Sequence, residues 1–271
     1  MPELPEVQTV VDHLRADLVG EKIGAIRPIW PKVLHNFAQA DFFNNNQEQA
    51  INDVTRRAKF IIIHLPASLL AIHLRMTGKL YLSNEEIPKH TSAIIELESG
   101  MKIIFEDTRK FGRIYLYENL DIINKNHGIE PLSDAFTKDW LIIELQKKKR
   151  NIKALLLDQS FIVGLGNIYT DESLWVSGIH PNSNSNTIPK SRVEKLHQAI
   201  QTILKDAIEA KGTTIINFSF LKNQSGNYAN QLRIFGRFEE PCLKCGCKIE
   251  KIRVAGRGTY FCKQCQRKYH S

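Results

Sequence analysis

The chain has 271 residues, 42% of them hydrophobic, enough for two domains with separate cores. Its 37 Lys+Arg against 29 Asp+Glu leave a net charge of +8, and the excess is uneven, since positions 233–271 carry ten Lys/Arg and three Glu; such a tail points to a polyanionic partner. No apolar run reaches the roughly 18 residues of a membrane span and the N-terminus lacks a signal peptide's cationic-then-apolar order, so a cytoplasmic chain with no membrane partner is expected.

Met1-Pro2-Glu3-Leu4-Pro5-Glu6 opens the chain. Trimming of the initiator methionine, usual before a small residue, leaves Pro2 as a secondary amine. An α-amino group titrates at about 8, against about 10.4 for lysine, so a useful share is an uncharged nucleophile at pH 7. Its attack on a carbonyl-level carbon gives an iminium ion, which keeps its charge and drains electrons from the adjacent bond. Glu3 is beside that amine and Glu6 one helical turn on, so two carboxylates can face it. The same residues also make a plain helix start, with Pro5 at the first helical position and acids complementing the dipole. Val7, Val10, Val11, Leu14 and Leu18 then recur at helical spacing, and Gly20 can close the helix.

Over the next hundred residues the runs are short and β-branched or aromatic: Ile61-Ile62-Ile63, Leu69 to Ile72, Ile94-Ile95 with Leu97, Ile103 to Phe105, and Ile114 to Tyr117, with Ser99-Gly100 as a hairpin turn. They predict an antiparallel β-sandwich or barrel packed on the first helix. Polar residues interrupt it at three places. Thr55 to Lys59 leads into a strand with three cations, which an edge guard would explain. His73 to Gly78 ends another strand in a turn, with Met76 as core filler or exposed wedge. Asp107-Thr108-Arg109-Lys110-Phe111-Gly112 is a charged loop; solvation accounts for its charges and leaves Phe111 unexplained.

Gly128 and Pro131 in a polar stretch, 124–134, mark a linker. Helices follow. Phe136 and Leu141 bracket Thr137 as a staple around an N-cap, Ile152 to Asp158 forms a second helix, and Gly164-Leu165-Gly166-Asn167 feeds a third through Trp175. That glycine turn either binds an anion at the helix start or is an Asn167 N-cap that needs no ligand. Ser191 and Glu194 have capping-box spacing ahead of a long helix that Gly212 ends. Positions 213–228 are polar and irregular, a candidate substrate-covering loop.

All five cysteines lie between Cys242 and Cys265. Cys242-Leu-Lys-Cys245 and Cys262-Lys-Gln-Cys265 have the spacing of a closed, tetrahedral zinc site, with Cys247 left free. Lys251, Arg253 and Arg257 place cations on a β-hairpin between the two pairs, which suits phosphate contacts.

Taken together, Pro2 to Val7, Arg57-Ala58-Lys59, His73 to Met76, Asp107 to Gly112, Gly164 to Tyr169 and the tail from Arg257 resemble the bacterial formamidopyrimidine-DNA glycosylases of the helix–two-turn–helix group. The resemblance covers nearly the whole chain. It implies a multidomain α+β fold: an N-terminal helix and antiparallel β-sandwich at 1–130, a helix–two-turn–helix domain at 131–232 with a lesion-covering loop at 213–228, and a zinc-ribbon hairpin at 233–271. It implies a monomer acting on damaged double-stranded DNA, with one structural zinc and no organic cofactor. Oxidised purines, 8-oxoguanine and formamidopyrimidines, would be excised through a Pro2 Schiff base, with strand cleavage by β,δ-elimination. Glu3 would shuttle protons and Glu6 would support the nucleophile. Lys59, His73, Asn167 and Arg257 would grip phosphates, while Met76, Arg109 and Phe111 would fill the void left by the extruded base. Two rivals are an endonuclease VIII-like enzyme for oxidised pyrimidines and, if Met1 is retained, a non-catalytic zinc-ribbon binder of damaged DNA. Leu4, where the former branch has Gly, favours the purine enzyme.

Overall fold

The computed structural model describes residues 1–46, 49–213 and 226–270. The chain divides into two units, one of Met1–Asn126 with Ala210–Asn227, the other of His127–Glu209 with Tyr228–Ser271.

In the first unit, α1 (Leu4–Leu18) buries Val7, Val10, Val11, Leu14 and Leu18. Glu3 is its N-cap, so Pro5 sits at the second helical position and not the first, where its missing N–H is equally harmless. Gly20, at φ +91°, ends the helical run and donates its N–H to the Ile51 carbonyl at 2.9 Å. Beyond it come β1 (Ile23–Pro28), α2 (Gln39–Asn46), β2 (Asp53–Arg57), β3 (Phe60–His64), β4 (Leu69–His73), β5 (Gly78–Ser83), β6 (Thr91–Leu97), β7 (Lys102–Asp107), β8 (Arg113–Tyr117) and α3 (Asp121–Asn126).

The strands form two antiparallel sheets, ordered β1-β6-β7-β5 and β2-β3-β4-β8. Both sheets and α1 share one core: Ile26, Ile95, Ile103 and Phe105 come from the first sheet, Ile61, Ile63, Leu70, Ile72 and Ile114 from the second, and Val7, Val11 and Leu14 from the helix. Each of these side chains contributes about 1.5–3 kcal/mol by leaving water. The sandwich therefore follows from the apolar runs. β1 and β5 were not expected, because Gly24 and Pro28 in one and Gly78 at the start of the other break the strand pattern.

Register brings three turns to one edge of the second sheet. Phe60 pairs with His73 and His73 with Arg113, so the turns at 58–59, 74–77 and 108–112 lie side by side. Each turn holds one left-handed residue: Ala58, Arg75 and Lys110, at φ 54°, 56° and 56°.

The second unit holds α4 (Lys138–Gln146), α5 (Ile152–Leu156), α6 (Asn167–Ser177), α7 (Lys190–Glu209), β9 (Glu250–Val254) and β10 (Arg257–Phe261). The Thr137 hydroxyl caps α4, accepting the Trp140 N–H at 3.1 Å as the spacing predicts. Two expected caps are corrected. Gly166, not Asn167, is the N-cap of α6. α7 already begins at Lys190 behind Pro189, which puts Ser191 inside the helix and leaves no capping box. β9 and β10 form the expected hairpin, and its tip residues Ala255 and Gly256 both have positive φ, as a tight two-residue turn requires.

Candidate active site and metal centre

Pro2 is buried at the mouth of α1, and Glu3 and Glu6 are each 3% exposed. A carboxylate this dry must be hydrogen-bonded. Glu6 Oε2 accepts the Glu3 N–H at 2.8 Å, and Oε1 accepts the Thr213 N–H at 2.9 Å and the Thr213 hydroxyl at 3.1 Å. One side chain thereby ties the N-terminus to the segment after α7. Gly212 has φ +78°, and a Cβ there would come within 2.9 Å of Glu6 Oε1, so glycine is required twice over. Thr213 pairs with Asn227, and Asn227 donates to the Ala210 carbonyl at 2.9 Å. The expected lesion-covering loop, 213–228, lies for the most part outside the described residues, between these two ends.

The three adjoining turns carry the other candidates of this unit. Lys59 is 3% exposed, so it is no solvated edge guard. His73 Nδ1 accepts the Arg75 N–H at 3.0 Å, which puts the proton of a neutral imidazole on Nε2, and its ring meets Phe60 edge-on at 4.8 Å. Met76 and Phe111 are exposed by 39% and 48%. The Arg109 guanidinium lies over the Phe111 ring at 4.8 Å.

Asp107, which the sequence reading placed in this motif without a role, organises the turn. Its buried carboxylate accepts the N–H groups of Arg109 at 3.1 Å, Phe111 at 2.8 Å and Gly112 at 2.7 Å, and also the Thr77 hydroxyl. An aspartate closing a strand two residues before an arginine was the available signal for such a turn.

In the second unit, Asn167 and Arg257 come together. Asn167 donates its amide to the Gly258 carbonyl at 2.9 Å, next to the exposed Arg257, while Asn167 Oδ1 is buried with no hydrogen-bond partner among the described residues. Beneath them lies an arrangement that the sequence reading missed. Lys153 Nζ, fully buried, donates to Asp171 Oδ1 at 2.6 Å and to the Thr259 hydroxyl at 2.7 Å, and Asp171 Oδ2 accepts the Tyr260 N–H at 3.0 Å. α5, α6 and β10 are thus pinned through one ion pair. Burial pushes the Asp171 carboxyl up to about 6 even with the ammonium against it. Its neighbour Glu172, also buried, accepts the N–H groups of Arg233, Ile234 and Phe235. A lysine among Ile152, Leu155 and Leu156 was the signal, since an ammonium there needs a partner.

Four thiols converge at the base of the hairpin. The sulfurs of Cys242 and Cys265 are 3.8 Å apart, those of Cys245 and Cys262 3.5 Å, and all four lie within 4.8 Å of one another. Zinc–thiolate bonds of about 2.3 Å in a tetrahedron require sulfurs about 3.8 Å apart, so the set fits one zinc. Cys247 is outside it. The Trp175 indole N–H donates to the Cys242 sulfur at 3.4 Å, and the Lys244 ammonium sits 4.1 Å over that indole.

Residues 1–114 match the formamidopyrimidine-DNA glycosylase N-terminal domain, and residues 127–219 match the helix–two-turn–helix domain of the same enzymes. The chain belongs to the formamidopyrimidine-DNA glycosylase family. Residues 239–267 match a zinc finger found in these glycosylases and in an isoleucyl-tRNA synthetase group. Formamidopyrimidine-DNA glycosylases of Pelotomaculum thermopropionicum and Herpetosiphon aurantiacus are 41% and 40% identical over 98% of this chain and 99% and 100% of theirs. Among solved structures, a Lactococcus lactis family member bound to a Fapy-dG containing DNA superposes with a TM-score of 0.92, at 35% identity, over 98% of this chain and all of that one. The helix–sandwich, helical domain and zinc hairpin expected of the family are all present. No helix among the described residues is long and apolar enough to cross a membrane.

Proposed function

We propose that this protein is a DNA glycosylase and abasic-site lyase that removes oxidised purines, 8-oxoguanine and formamidopyrimidines, from duplex DNA. The observation that carries the reading is the buried Pro2-Glu3 start of α1 with both Glu6 oxygens already engaged. Once Met1 is removed, the Pro2 amine attacks C1′ of the damaged nucleotide and the base leaves. The C1′–O4′ bond then opens, O4′ taking a proton, to leave a Pro2 iminium; this acidifies the adjacent C2′ proton, whose loss expels the 3′-phosphate, and a second elimination expels the 5′-phosphate and completes the cut. Glu3 is the proton carrier at the sugar. Glu6, holding three donors, keeps the nucleophile's helix in place. Lys59, His73, Asn167 and Arg257 hold phosphates around the lesion. Met76, Arg109 and Phe111 occupy the gap from which the base has swung.

Cys242, Cys245, Cys262 and Cys265 would hold one zinc, whose role would be structural, fixing the hairpin that presents Arg257. The chemistry falls to 1–130, which shares the holding of DNA with 131–232 and 233–271. The enzyme acts as a monomer in the bacterial cytoplasm, at the nucleoid. Borohydride reduction tests the reading. With 8-oxoguanine duplex it should trap a covalent adduct, and Pro2→Gly or a Met1-retaining form should greatly weaken or abolish trapping. Equal trapping by a Met1-retaining form would send the search for the nucleophile to a lysine.

A further inference from the structure

Arg113 and Trp30 belong to none of the groups given a role above, yet they meet at the turn that carries Phe111. Arg113 opens β8, and its Nη1 donates to the Gly112 carbonyl at 2.7 Å and to the Lys110 carbonyl at 3.1 Å. Its guanidinium carbon stands over the Trp30 ring, 4.7 Å from the ring centre. Trp30 is itself anchored, its side chain packing against the sandwich core and its backbone N–H donating to the Ser92 carbonyl at 2.9 Å. The two carbonyls that Arg113 holds flank Phe111 on both sides.

The turn needs such a hold. Lys110 is in the left-handed region at φ 56°, a conformation that persists in a non-glycine residue only when its surroundings impose it. Asp107 binds the N–H groups of the turn from one side, and Arg113 binds its carbonyls from the other. The Phe111 ring is 48% exposed, with the Arg109 guanidinium over it, so the backbone sets where the ring points.

We propose that Arg113, seated on Trp30, is a positioning residue that clamps the 110–112 backbone and so aims Phe111 at the gap left by the extruded base. The kinetic part rests on the glycosylase reading; the clamp itself does not. A lysine keeps the charge of Arg113 and loses both the fork and the flat stacking surface. The clamp therefore predicts that Arg113→Lys behaves like Arg113→Ala, whereas a simple phosphate contact predicts rescue by lysine.

Hydrogen exchange on the free protein reads the clamp. In both variants the Phe111 and Gly112 amides should exchange faster while the β7 amides stay as they were. Single-turnover kinetics reads the consequence. Loss of two backbone hydrogen bonds should slow excision of a paired 8-oxoguanine about tenfold, with cleavage at a preformed abasic site slowed far less, because no base remains to be extruded. Unchanged exchange at Phe111 and Gly112, recovery by lysine, or equal slowing on the two duplexes would each overturn the proposal. Failure of the unmodified protein to cut either duplex would instead count against the glycosylase reading, and the exchange arm would stand.

Discussion

Phe111 carries no charge and Lys59 and Arg257 carry one each, so their losses should register in different observables. A cation that neutralises a phosphate releases a counterion, and removing it should flatten the salt dependence of binding by about one unit of slope. Lys59→Ala and Arg257→Ala are accordingly expected to weaken binding to damaged and undamaged duplex alike, each with a shallower slope in a salt series. Phe111→Ala should leave the slope in place and slow excision of a paired lesion much more than cleavage of an abasic site, since unstacking costs a few kcal/mol that the ring helps offset. Equal slowing on both substrates would make Phe111 ordinary loop packing. Glu6 gives a second prediction. Its carboxylate satisfies the Glu3 and Thr213 N–H groups in a dry site, and Glu6→Ala strands both at about 1–3 kcal/mol apiece. Thermal melting should show that loss in the first unit, together with faster exchange of the Thr213 amide.

At the scale of elements, the Lys153–Asp171 pair pins α5, α6 and β10, and its pH behaviour has a definite sign. The Asp171 carboxyl titrates at about 6 in the folded chain, above the ordinary 3.8. A raised carboxyl pKa means that the folded state holds its proton more tightly than the unfolded state. The stabilisation is therefore complete below the unfolded value and is lost as pH rises through about 6. Asp171→Asn, which cannot ionise, should flatten that limb of the stability–pH curve; an unchanged limb would assign it to another group. Lys153→Met alone is expected to cost about 3 kcal/mol by leaving a buried carboxylate without its cation, and Lys153→Met with Asp171→Leu should recover most of it. Elements held by apolar periodicity were legible from sequence: α1, the runs at Ile61, Leu70, Ile94, Ile103 and Ile114, and the cysteine knuckles. What escaped was set by partners distant in the chain. The start of β5 at Gly78 depends on its pairing with Asp107, and the Glu6 bond to Thr213 spans 207 positions. No local pattern encodes such contacts. The metal centre was legible because cysteine pairs announce their chemistry, and the turn was illegible because its residues act by holding backbone, as Asp107 and Arg113 do.

For the molecule as a whole, nearly all of the +8 excess lies in the zinc-hairpin segment, so its integrity should govern overall DNA affinity. Structural zinc supplies on the order of 10 kcal/mol to small modules. Cys262→Ser should unfold 233–271, reduce DNA binding and leave the sandwich melting as before, and metal analysis of active protein should find one zinc per chain. Absence of zinc from active protein would remove the metal from this account. The indole of Trp175 touches this centre from inside, with its N–H on the Cys242 sulfur and the Lys244 ammonium over its ring. Its excited state therefore senses the charge on that sulfur directly. The protein thus carries its own optical gauge of metal occupancy: a chelator titration should shift the intrinsic emission, and Trp175→Phe should abolish the shift while Trp30 and Trp140 continue to glow unchanged.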